Sequence, residues 1–285
     1  MSMDSSLSFV LQLWRRLPAV VRGIVAGLVI LQIGQIPPGI FLLTNLKLSP
    51  NLPWFPLVTA AWLWFFWQYS NGKGWPQATA QGRREDLRAR SIPGRTWLWS
   101  LLAGGLGMAG VMCLAFLTVR LANIPQEALN PPFDISAYPV WTKISILLSI
   151  AAVAGVVEEA AFRGYMLSPI VRRHGWMAGI VIVGLIFYVA HIGHAYATIA
   201  FLPFFLTYSI LQGTLVYLTG SILPSVLLHA VSDFLVTPVQ YGMTGSFLDF
   251  SAATYAALTL IFAAAALPAF YCLAAVTRQE RPANG

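Results

Sequence analysis

Eight stretches of the chain are almost unbroken in apolar residues, with polar residues gathered between them: roughly 20–43, 54–69, 97–120, 141–160, 176–195, 199–218, 221–237 and 252–276. An apolar run of about 20 residues has the length of a helix that crosses a bilayer. The pattern predicts an all-α, polytopic membrane helix bundle of about eight transmembrane helices. The second and seventh runs are short, and Pro37-Pro38 and Pro203 predict kinked or broken helices. Gly and Ala over 100–112 and 151–155 would let neighbouring helices approach closely.

Composition agrees with that pattern. Of 285 residues, 58% are hydrophobic and 9% charged, with a mean hydropathy of +0.71, whereas a soluble domain carries about 25% charged residues. A formal net charge of +7 would suit nucleic acid, but the basic residues sit at the ends of apolar runs rather than on one soluble face. The expected partner is therefore the lipid bilayer, and no nucleic acid. Cys113 and Cys272 lie inside apolar runs far apart in sequence and imply no disulfide framework. Arg15, Arg16 and Arg22 precede the first run with no small-residue cleavage site after it, so it reads as a retained first span.

The placement of positive charge gives an orientation. With the N-terminus inside, the inner segments hold Arg15, Arg16, Arg22, Lys73, Arg83, Arg84, Arg88, Arg90, Arg95, Arg163, Arg172, Arg173, Arg278 and Arg281, and the outer ones only Lys47, Arg120 and Lys143. This asymmetry predicts a multi-pass protein of the cell membrane with both termini cytoplasmic, in the inner membrane if the source is Gram-negative. The chain reads as one membrane domain, 1–285: spans 1–140 with a basic cytoplasmic loop at 70–96, a core at 141–240, and a last span with its tail at 241–285. The loop is expected to lie against anionic headgroups, and the tail after Arg278 to be disordered.

Against this apolar background the ionisable residues inside the runs stand out. A charge at membrane depth costs roughly 2.5–3.5 kcal/mol on insertion scales, which makes each a functional candidate. Residues Gly155 to Tyr165 read G-V-V-E-E-A-A-F-R-G-Y, and later runs carry Phe187-x-x-x-His191 and His229-x-x-x-Asp233. Glu159 and Arg163 have the four-residue spacing of an intrahelical ion pair. On a helix Glu158 and Glu159 point about 100° apart, so they are not expected to face one point, and Glu158 is left to face elsewhere. A tight turn at Arg172-Arg-His-Gly-Trp176 would bring Glu158 and His191 to the same depth. His229 and Asp233 share one helix face.

Together the three pieces resemble the CAAX protease and bacteriocin-processing (CPBP, or Abi) family of intramembrane proteases. Its pattern is E-E-x-x-x-R, then F-x-x-x-H, then H-x-x-x-N or H-x-x-x-D on successive membrane helices; the match here covers roughly 141–240. The resemblance implies a helical bundle enclosing a chamber and CAAX-type proteolysis of a membrane-anchored substrate, similar to that of the Ras-converting CAAX endoprotease. Carried over, Glu158 with His191 would activate water, and His229 with Asp233 would face the scissile carbonyl. Glu159, Arg163 and Phe187 would support the site. Asp233 stands where an asparagine often stands, and an ionised aspartate only accepts hydrogen bonds; either its apolar surroundings keep Asp233 protonated, or it orients and charges His229, which then donates alone. No cofactor is expected. Were the enzyme metal-dependent, Glu158, His191, His229 and Asp233 would be acceptable ligands for zinc or another divalent metal, although no H-E-x-x-H helix is present. The competing class is a non-catalytic membrane protein, either a peptide-binding immunity factor or a proton-coupled transporter.

Overall fold

The computed structural model describes residues 12–14, 16–130, 133–241, 243 and 250–280. Arg15 and Arg281, two of the basic residues counted above, lie outside the described residues, as does the end of the tail. The elements are α1 (Ala19–Leu48), α2 (Phe55–Ser70), α3 (Ala80–Leu87), α4 (Gly94–Leu121), the short α5 (Gln126–Leu129), α6 (Val140–Val153), a π-helix, π1 (Ala154–Met166), α7 (Leu167–His191), α8 (Leu202–Thr219), α9 (Leu223–Gln240) and α10 (Ala252–Glu280). Among the described residues there is no strand, so the all-α reading holds. Each of the eight apolar runs falls on helix. Among the described residues, five stretches are long and apolar enough to cross a membrane: Ala19–Leu48, Gly94–Leu121, Val140–His191, Ile199–Thr219 and Ala252–Glu280. The third is two legs, because Gly175 turns the chain inside the expected tight turn with φ 80° and ψ 166°, a conformation open essentially to glycine alone. Cys113 and Cys272 are free thiols.

The prolines behave differently from expectation. α1 runs unbroken through Pro37 and Pro38. Pro38 has no N–H for the carbonyl of Gly34 four residues back; the indole N–H of Trp62 on α2 donates to that carbonyl instead, at 3.3 Å. Tertiary packing thus satisfies the group the proline orphans. Pro203 lies in the first turn of α8, where a missing N–H is harmless.

π1 is the hub: it touches α1, α2, α3, α7, α8 and α9 as well as α6 before it. Every residue of π1 is buried except Val156 and Glu158. Small residues let its neighbours come close. A Cβ at Gly34 of α1 would sit 2.3 Å from Val157, and one at Gly155 would sit 2.7 Å from Ala230 of α9. At the far side α10 packs along α4.

The polar stretch after α2 forms a packed cap. Leu87 is fully buried, and Arg83 turns inward. Its guanidinium donates to the carbonyls of Tyr69, Lys73, Gly74 and Pro76 and to the Thr79 hydroxyl. The cap is stitched to the core: Tyr165 donates to Ser70 O at 2.8 Å, Ser168 to Asp86 O at 2.9 Å, and Ser221 to Arg90 O at 2.6 Å. Burial pushes the Asp86 carboxyl up from its ordinary range, against the pull of Arg172 beside it. Arg84, Arg90 and Arg95 stay exposed.

Candidate active site

Glu159 and Arg163 form the expected ion pair, Nη1 to Oε1 at 3.1 Å, with both residues fully buried. Glu159 does more than neutralise that charge. Its Oε1 lies 2.8 Å from His229 Nδ1, and its Oε2 accepts from the Ser225 hydroxyl at 2.6 Å. An ionised carboxylate can only accept, so Nδ1 carries a proton in this contact. Ser225 Oγ also lies 2.9 Å from Gln212 Oε1, extending the polar cluster to α8. The Arg163 guanidinium lies over the rings of Phe187 and Tyr208, at 4.7 and 5.3 Å. Its Nε, Nη1 and Nη2 make no hydrogen bond among the described residues.

The expectation that adjacent glutamates cannot face one point is corrected. Glu158 Oε2 lies 3.9 Å from His229 Nε2, while Glu159 holds Nδ1 of the same ring. Bonding from i to i+5 widens the turn and narrows the angle between successive side chains; the imidazole spans the rest by offering nitrogens on two edges. Asp233 Oδ2 lies 3.7 Å from the same Nε2, as the i,i+4 spacing predicts. Nε2 therefore faces two carboxylates, each beyond hydrogen-bond length.

Glu158 is set apart by its second neighbour and by what lies beside it. Gln35 of α1 donates to its Oε1 at 3.0 Å. The pair borders an apolar cavity of about 220 Å³ between α1, α2 and α6, with Pro38, Leu42, Phe55 and Ile150 among its walls. Its side chain is 13% exposed, against 0% for Glu159.

His191 stands apart from this cluster. Its Nδ1 lies 2.7 Å from the Phe187 carbonyl of its own helix, and its ring packs against Phe187 at 4.5 Å and Phe205 at 5.0 Å. Among the described residues it makes no contact of ion-pair length with Glu158 or Asp233. His194 lies in the loop after α7 yet still stacks on His191, at 5.7 Å. Gln35, Ser225, Gln212 and Tyr208 had no signal in the sequence beyond being polar in apolar runs. Among the described residues no three His, Cys, Asp or Glu side chains are grouped as ligands for a metal ion.

Residues 139–235 match the family model for type II CAAX prenyl endopeptidases, described as Rce1-like. That segment is an Rce1-like domain. It begins at the residue before α6 and ends inside α9, so it contains π1, α7 and the His229–Asp233 pair. It leaves out α1, which supplies Gln35, and the cap. No curated protein and no solved structure matches the chain. The match supports CAAX-type protease activity, hence a hydrolase, and several described helices are long and apolar enough to cross a membrane.

Proposed function

We propose that the chain is an intramembrane endopeptidase that cleaves a membrane-anchored peptide or protein, with Glu158 as the base that activates water. The observation that carries this reading is the placement of Glu158. It is the one ionisable residue of π1 that is not sealed, it borders an apolar cavity, and it faces His229 Nε2. A water about 2.8 Å from both Glu158 Oε2 and His229 Nε2 fits groups that stand 3.9 Å apart. Glu158 takes a proton from that water as its oxygen attacks the scissile carbonyl. His229 acts as the imidazolium, with both ring nitrogens protonated: Nδ1 is fixed by Glu159, Nε2 donates to the developing oxyanion, and Asp233 orients the same edge of the ring. Collapse breaks the C–N bond, and the proton held by Glu158 passes to the leaving amine. His191 joins as a third group on the water once substrate is bound, since catalytic hydrogen bonds often tighten only then. No step passes through a metal. Glu159, Arg163, Ser225 and Gln35 position these groups. The membrane orientation that goes with this reading has both termini in the cytoplasm. A proteolysis assay on a lipid-anchored reporter peptide tests it: Glu158→Gln should abolish cleavage while the protein accumulates folded in membranes, and cleavage at the wild-type rate would remove Glu158 from the chemistry.

A further inference from the structure

A second cavity, of about 430 Å³, opens at the end of the bundle where α1 begins, away from the carboxylate–imidazole cluster. Trp14 and Arg22 wall it on the α1 side, Asp86 on the cap side, and Tyr165, Arg172 and Arg173 on the side of π1 and α7. Three guanidiniums against one carboxylate leave a balance of +2. Asp86 is already engaged with Arg172, Oδ1 to Nη2 at 2.6 Å. Arg22 and Arg173 have no ion-pair partner among the described residues. The Arg22 Nε is moreover buried with no hydrogen-bond acceptor among them, and a buried donor in a native protein has a partner in the great majority of cases. The first turn of the 30-residue α1 adds to the same field: it has no side-chain cap and no acidic residue, so its free N–H groups and positive dipole end favour an anion.

We propose that this cavity binds a phosphate-bearing anion. Guanidiniums approaching from separate elements match the several oxygens of a tetrahedral phosphate better than the two of a carboxylate. α1 is of membrane-spanning length and the cavity lies at its end. That is the level of the headgroups, where basic pockets between transmembrane helices hold anionic lipids. The same chemistry would accept free phosphate. A phosphate held between Arg22 and Arg173 ties the start of α1 to the elements that follow π1.

The test uses the full chain, purified in detergent, and follows thermal unfolding. The probes are dioctanoyl phosphatidylglycerol, dioctanoyl phosphatidylcholine and inorganic phosphate. Phosphatidylglycerol should raise the unfolding temperature saturably, and phosphatidylcholine should not. Arg22→Gln and Arg173→Gln should each weaken the apparent affinity about tenfold, while Arg278→Gln, at the exposed end of α10, should leave it unchanged. A saturable response to phosphate that competes with the lipid assigns the site to the free ion as well; a response to the lipid alone assigns it to the headgroup. Arg173 is exposed, so its variant carries the test even if Arg22→Gln fails to fold. No saturable shift with either anion, or equal shifts in wild type and both arginine variants, would overturn the proposal.

Discussion

The pocket around Glu159 and the pocket around Glu158 are built from the same helix and share one imidazole. Glu159 is sealed, with Arg163, His229 and Ser225 all within contact of its two oxygens. Glu158 has one hydrogen bond, from Gln35, and an apolar cavity beside it. A carboxylate surrounded on every side has no room for substrate and is costly to disturb; one left with a free oxygen at a cavity can meet water and a peptide. On the proposed mechanism the contrast gives structure to one residue and chemistry to its neighbour. It also divides the chain: the Rce1-like domain supplies the sealed cluster, whereas α1 and α2, outside it, supply much of the wall that Glu158 faces.

The largest effect should come from the sealed side. Arg163→Ala strands Glu159 in the interior, and breaking a buried pair costs about 3–5 kcal/mol. Folded protein should fall together with activity, as read by chemical denaturation and membrane yield. Replacing both partners, Glu159→Gln with Arg163→Gln, should recover part of the folding, because no charge is then left unpaired. An Arg163→Ala protein that folds normally but does not turn over would make Arg163 a substrate contact and erase the division between the two pockets.

His191 sharpens the open side. If it shares the water with Glu158, His191→Ala should lower kcat by roughly 10²-fold without changing the unfolding midpoint; near-normal turnover would confine the chemistry to Glu158 and His229. Gln35→Ala comes next. Losing one hydrogen bond to a charged group should lower kcat about tenfold, with KM and stability little changed, and Gln35→Asn should restore less than half of it. A loss of stability of the Arg163 kind would mean that Gln35 merely holds α1 against π1. Chelation should leave no lasting change in turnover. Stoichiometric bound zinc, with activity lost on stripping and regained on re-addition, would contradict the metal-free mechanism. His174→Ala and His194→Ala should have the smallest effects, within about twofold, since neither touches the carboxylates.

Much of this contrast was legible in the sequence, for a physical reason. Ionisable residues are costly in apolar runs, so Glu158, Glu159, Arg163, His191, His229 and Asp233 were conspicuous, and helical spacing alone paired Glu159 with Arg163 and His229 with Asp233. The turn at Gly175 was likewise marked by its basic, glycine-containing segment. The meeting of both glutamates at one imidazole was not legible, because it depends on a π-helix that no periodicity announced. Gln35 was hidden because a neutral amide costs little in an apolar run. The packing of the cap was not legible, because exposed and inward-turned arginines look alike in sequence: Arg83 is buried by carbonyls that only the fold brings round it.

Glu158→Gln and Glu159→Gln, made separately and each measured for both turnover and unfolding free energy, test the division between the two pockets most directly. The first should lose about 10²–10⁴-fold in kcat and keep its unfolding midpoint. The second should lose stability, as the charge of Arg163 is left uncompensated, and the protein that does fold should retain measurable turnover. The reverse pattern, a stable but inactive Glu159→Gln beside an active but destabilised Glu158→Gln, would contradict the account.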